Sequence, residues 1–128
     1  MDWLTWIIID CAAAAFLVLI RLTLVRPEKA REWLEKGASV IDVRSEDEFK
    51  EGHLPGAVGV PLDQLRDASG WLAPNKEQPL LLHSHIGIRS GMGKAMLRKM
   101  GYPNVFNLGS YGRAERILGS QIAVGRNS

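Results

Sequence analysis

Apolar positions run almost unbroken at the start of the chain: residues 3–25 (WLTWIIIDCAAAAFLVLIRLTLV) are interrupted only by Thr5, Asp10, Arg21 and Thr23. A bilayer core of about 30 Å needs about 20 helical residues, so this run predicts a membrane-spanning helix. Trp3 and Trp6 stand at its start, where aromatic rings favour the headgroup boundary. The competing reading is a buried helix of a soluble domain, which would carry a polar stripe; residues 12–20 have none. Asp2, in place of Lys or Arg, argues against a secretory leader, and Asp10 directly before Cys11 argues against a lipoprotein signal. No Lys or Arg precedes the run, whereas Arg21, Arg26, Lys29 and Arg31 follow it. The positive-inside rule therefore predicts the N-terminus outside and the remaining chain in the cytoplasm. A carboxylate at the bilayer centre costs about 2.5–3.5 kcal/mol, which makes Asp10 the exception in the span. It is too far from Arg21 to pair within one helix. Two readings stand side by side: a polar group on another transmembrane helix meets it, or it is tolerated near the interface.

Beyond this run the pattern changes to short alternating segments. Arg26-Pro27 breaks the helix, and residues 27–36 fit a short helix with Ala30, Trp33 and Leu34 on one side. Residues 39–43 (SVIDV) suit a buried strand, and Ser45 with Glu48 forms a helix-capping pattern. A loop at 52–57 precedes a strand at 58–60 and a short helix at 62–66. After a polar, Pro-containing connection at 73–79, residues 80–83 (LLLH) form the most apolar strand. A loop at 84–89, a helix at 90–100, a strand at 105–108 and a helix at 114–118 complete the series. This alternation predicts an α/β domain over 27–128, a parallel sheet covered on both faces, preceded by an anchor over 1–26.

Composition narrows the functions. At 128 residues and net charge +2, with mixed signs, there is no basic stripe for nucleic acid. The single cysteine, Cys11, excludes an internal disulfide framework and a cysteine-based zinc site. His83 and His85 alternate at a strand end, but His53 is the only further nitrogen and no acidic motif accompanies them, so no metal centre is expected. No cofactor is expected either. A Ser-His hydrolase is a weak reading, because no Gly-x-Ser-x-Gly turn surrounds Ser84.

Two longer motifs carry more. Residues 40–61 read VIDVRSEDEFKEGHLPGAVGVP and residues 80–93 read LLLHSHIGIRSGMG. Together they resemble the rhodanese family of sulfurtransferases over about residues 27–118. The resemblance rests on Asp42, Arg44, Glu48, Phe49 and the run from Gly52 to Ala57, then on Gly87, Arg89 and Ser90. It implies a three-layer α/β fold and sulfur transfer from thiosulfate or a persulfide donor to a thiol or cyanide through a cysteine persulfide. At the position of the family's nucleophilic cysteine this chain has Ser84. An alcohol has no accessible pKa and cannot store sulfane sulfur, so this form is expected to be inactive.

The loop design survives that change. Backbone N–H groups of His85, Ile86, Gly87, Ile88, Arg89 and Ser90, with the start of the following helix, are expected to favour an anion above Ser84. Six residues from 84 to 89 resemble sulfurtransferases, whose related phosphatases have one more, so the resemblance implies a small sulfur anion such as thiosulfate. Arg89 can face the substrate anion or pair with an internal carboxylate such as Glu48, and the resemblance implies the second role. Asp42 and Arg44 are expected to fix the strand end, and His53 to be a buried, hydrogen-bonded turn residue. Tyr111 and Arg113 read as a structural turn, or as the pocket mouth or a docking surface. Two functions follow: a membrane-tethered sulfurtransferase scaffold lacking its nucleophile, or a non-catalytic module that binds an anion or partner protein at the membrane.

Overall fold

The structure, a computed structural model, describes residues 1–126, with side chains described to residue 119; the last two residues of the expected domain lie outside the described residues. The apolar run forms α1 (Trp3–Thr23), long and apolar enough to cross a membrane, and none of its residues is buried. Asp2 caps it through the Thr5 N–H at 2.9 Å. The helix stops two residues earlier than the apolar pattern. Leu24 and Val25 are extended, the Val25 N–H donates to the Asn107 carbonyl at 2.9 Å, and Val25 is buried in the domain core. The apolar side chain of Val25 thus serves the core, while Leu24 is partly buried against Gly109.

The helices α2 (Pro27–Glu35) and α3 (Glu46–Glu51) flank the strand β1 (Ser39–Asp42) in sequence. Pro27 starts α2 because its missing N–H costs nothing in a first turn. The capping box is present: Ser45 Oγ accepts from Glu48 N–H and Glu48 accepts from Ser45 N–H. The short strand β2 (Val58–Gly59) leads to a 3₁₀ turn (Leu62–Gln64) and to α4 (Leu65–Leu72), a longer helical stretch than residues 62–66 predict. Then follow β3 (Leu80–His83), α5 (Ile88–Lys99), β4 (Val105–Gly109) and α6 (Tyr111–Arg126). The last helix runs well past the expected 114–118, started by Ser110 Oγ accepting the Arg113 N–H. Within α5, Leu97 is buried and Ala95 is exposed.

All strand pairs are parallel, in the order β2-β1-β3-β4. Because side chains alternate along a strand, Ile41, Leu80 and Leu82 face one layer with Leu65, Leu97 and Tyr102. Val40 and Leu81 face the other, with Val25, Ala30, Leu108, Ala114 and Ile117. The result is three layers: α4 and α5 on one face, α2 and α6 on the other. Register slips by one residue after Leu82, so that His83 pairs with Gly109. That slip brings Gly109 beneath the loop after β3, where the candidate site lies.

Candidate functional site

Asp42 and His83 stand side by side where β1 and β3 end, and the chain after His83 turns directly into α5. The carboxyl edge of a parallel sheet is the usual place for a ligand in such folds. Ser84 N–H donates to the Gly109 carbonyl at 3.2 Å, which pins the first loop residue to β4. Gly87 then adopts φ +95°, and a Cβ there would lie 3.1 Å from the Gly109 Cα. Only glycine satisfies both the backbone angle and the approach. The helix α5 begins at Ile88, not at residue 90, so Ile88, Arg89 and Ser90 form its first turn. The loop proper is therefore four residues, 84–87.

Ser84 is 1% exposed, and three groups converge on its hydroxyl. The N–H groups of Gly87 and Ser90 donate to Oγ at 3.1 and 3.3 Å, and Ser90 Oγ lies 3.2 Å away. Two of the six expected N–H groups are thus aimed at the residue 84 atom itself. Ser90 N–H belongs to the unpaired donors of a helix start, which carry partial positive charge. His85, Ile86 and Ile88 turn outward and are exposed. His83 is fully buried and His85 exposed, so the two rings do not share a side. Among the described residues no three His, Cys, Asp or Glu side chains gather in a possible metal site.

Around this hydroxyl the polar framework is dense. Arg44 grips Asp42 through its own N–H, Nε and Nη2 at 2.7–3.0 Å and donates to the Gly52 carbonyl at 2.7 Å. The Asp42 hydrogen bonds raise the already high Arg44 pKa. Arg44 lies 4.8 Å over the ring of Tyr111, whose edge meets His83 at 5.8 Å between centroids. Tyr111, itself partly buried, thus joins the framework. Arg113 belongs elsewhere: it donates to the Leu108 carbonyl at 2.7 Å and to the Val25 carbonyl, clamping the entry segment. His83 has no hydrogen bond on either ring nitrogen, and its Nε2 lies 3.8 Å from Asp42. Burial, outweighing the Asp42 charge, pushes its pKa below the usual histidine value.

Arg89 pairs with Glu48 at 2.6 and 3.1 Å, joining the first turns of α5 and α3. That hydrogen bond, then the Ser45 N–H, lowers the Glu48 carboxyl from 4.5 to about 2. A carboxylate whose pKa falls on folding stabilises above its unfolded pKa and loses that contribution as pH falls through the folded one. Acid unfolding between pH 4.5 and about 2 should therefore lose a contribution that Glu48→Gln lacks from the outset. Both side chains are about one-third exposed, so solvent screening limits the difference to about 0.2–1 kcal/mol. Parallel acid titrations of the two chains by tryptophan fluorescence check it, and identical slopes would exclude the pair as a contributor.

His53 is hydrogen-bonded as expected, its Nδ1 lying 3.0 Å from the Phe49 carbonyl, but it is exposed and not buried. Its ring stacks on Phe49 at 3.8 Å between centroids, so the outer face of Phe49 covers it in place of the core. One residue escaped the sequence reading. Asn107 is fully buried; its Nδ2 donates to the Gly87 carbonyl at 3.1 Å and its Oδ1 accepts the Gly109 N–H at 2.8 Å. An asparagine at a buried position of an otherwise apolar strand is the signal that could have found it.

The architecture defines a class first: a parallel α/β domain whose candidate site is a strand–loop–helix turn at the carboxyl edge of the sheet. The rhodanese-like domain model matches residues 26–112, and the chain belongs to that family. It is 32% identical over 69 residues to the Escherichia coli (strain K12) thiosulfate sulfurtransferase PspE, covering 54% of this chain and 66% of that protein. The human single-domain sulfurtransferase TSTD1 superposes with a TM-score of 0.63 at 27% identity, over 73% of this chain and 96% of its own. A rhodanese from E. coli, solved with anions, gives 0.58 at 28% identity, over 60% and 91%. The chain thus spans about two-thirds of the length of PspE. It has the scaffold of the sulfurtransferase family.

Proposed function

We propose that this chain is a membrane-tethered rhodanese-family scaffold that holds a small sulfur anion such as thiosulfate at residue 84. With serine there, it does not complete transfer to a thiol or cyanide acceptor. One observation carries the reading: the three groups converging on Ser84 Oγ stand 3.1–3.3 Å away. N–H···O bonds ordinarily span about 2.7–3.2 Å, so the Gly87 N–H bonds the residue 84 atom and the Ser90 N–H stands at the long edge of that range. Donors aimed in this way favour a negative atom. Sulfur as a thiolate or persulfide meets that condition. An alcohol does not, since it neither ionises near neutral pH nor carries sulfane sulfur. The names of PspE and of the anion-bearing E. coli rhodanese agree with this chemistry.

The tether is α1, with the charges Arg21, Arg26, Lys29 and Arg31 favouring a cytoplasmic domain. The division falls near residue 26, with Leu24 and Val25 as its seam. Asp10 is exposed on α1 and serves either as a contact for another transmembrane helix or as a polar residue near the interface. Unchanged oligomer size and co-purifying proteins for Asp10→Leu would remove the first role.

A second reading is favoured by the burial of Ser84: a hydroxyl 1% exposed and already bonded suits a module that binds without turnover. Ser84→Cys separates the two. Gain of thiosulfate-to-cyanide transfer supports the sulfurtransferase scaffold, whereas a folded but inert variant supports the non-catalytic module.

A further inference from the structure

The start of α5 faces a second feature, a groove of about 490 Å³ between α1 and α5. Phe16, Ile20 and Thr23 of α1 form one wall, and Gly91, Met92 and Ala95 of α5 are among the residues opposite. Among the described residues Lys94 and Arg98 are its only charged lining residues, and Lys94 Nζ donates to the Thr23 carbonyl at 3.2 Å, tying the two helices together. Gly87 and Ile88 also line it, so the groove reaches the turn that holds Ser84. Around it lie large apolar side chains open to solvent: Ile86 is 62% exposed, Met92 58% and Phe16 55%.

Geometry decides what fills this space. The 21 residues of α1 make a rod of about 31 Å, close to the hydrocarbon thickness of about 30 Å. Phe16 lies two turns before the end of α1, about 10 Å along its axis. When α1 spans, the wall formed by Phe16 and Ile20 stands inside the apolar layer. Met92, across the groove, then stands at the same depth, and Lys94, bonded to the Thr23 carbonyl at the end of α1, stands at the headgroup level. Water is a poor occupant there. Lys94 donates to the Thr23 carbonyl and Arg98 to the Val105 carbonyl through Nε and Nη2, but among the described residues neither has a carboxylate, so their charge asks for an anion at the same level. Burial, followed by the neighbouring Arg98, lowers the Lys94 pKa, a cost that an anion would offset.

We propose that the α1–α5 groove is a phospholipid site: an acyl chain lies along Phe16, Ile20 and Met92, and its phosphate meets Lys94 and Arg98. The Ser84 turn then rests on the bilayer surface, and Ile86 and Ile88 dip into it. This rests on the membrane reading of α1. The test uses the full chain in nanodiscs of phosphatidylcholine and phosphatidylglycerol, in a Cys11→Ser background, with a nitroxide on Met92→Cys or on Trp71→Cys. Trp71 is 66% exposed and lies outside the groove, which makes it the reference. Collisions with lipid-soluble oxygen, relative to a water-soluble nickel chelate, are expected to be several-fold higher at position 92 than at 71. Equal ratios would overturn the site, as would a position 92 label shielded from both reagents, the signature of a protein helix in the groove. Native mass spectrometry should retain a bound phospholipid that Lys94→Gln loses several-fold; no change on that substitution would overturn the phosphate contact. Alkaline carbonate extraction keeps the failures apart. A chain released from vesicles overturns the membrane reading itself, whereas a retained chain with a water-exposed position 92 overturns the lipid site alone.

Discussion

Ser84→Cys is expected to raise thiosulfate-to-cyanide transfer by orders of magnitude over the serine chain, measured as thiocyanate formed in detergent or nanodiscs. The gain is large because the change supplies the nucleophile of a covalent intermediate instead of tuning an existing step. The N–H groups of Gly87 and Ser90 are already aimed at the position 84 atom. They would stabilise a thiolate more than a thiol, and the first turn of α5 adds to the field. The new thiol should therefore titrate below the free value of about 8.5. The pH dependence of its alkylation, read by mass spectrometry in a Cys11→Ser background, reports this directly. Adding Gly87→Ala should abolish both effects, since its Cβ would meet Gly109 and the backbone would leave φ +95°. An ordinary thiol pKa together with undetectable transfer in a folded Ser84→Cys chain would refute the sulfur-transfer scaffold.

The largest stability loss is expected at Asp42. Its side chain is fully buried and accepts three hydrogen bonds from the Arg44 side chain and one from the Arg44 N–H. Asp42→Asn leaves the Arg44 cation, 9% exposed at its side chain, without its counter-charge. Breaking such a buried pair from one side costs about 3–5 kcal/mol. Urea unfolding of the detergent-solubilised chain, followed by tryptophan fluorescence, should show the midpoint fall accordingly. A loss below about 1 kcal/mol would place the pair among ordinary surface contacts. The effect should extend to the site, because Arg44 also covers Tyr111 and holds the Gly52 carbonyl.

Much of this arrangement was legible in the chain. Short apolar strands separated by helices gave the parallel sheet, since 80–83 carries no polar alternation and must be covered on both faces. The Ser45–Glu48 capping box was readable because its chemistry is local. The start of α5 was not: Ile88 and Arg89 enter the helix because Gly87 turns the chain early, under a constraint set by Gly109 twenty-two residues away. The placement of Val25 was hidden for the same reason. Its apolar side chain fits a span and a core equally well, and only pairing with Asn107 separates them. His53 was misjudged because stacking on Phe49 satisfies a histidine at the surface.

Asn107 has a consequence beyond the loop it steadies. Its carbonyl receives Val25, its amide reaches Gly87, and Arg113 fastens the Val25 carbonyl from the other side. A protease trimming the polypeptide immediately before Arg26 would strip away an edge residue and unlatch the scaffold behind the Ser84 turn. A cut just ahead of Leu24 would release the globule with that latch shut.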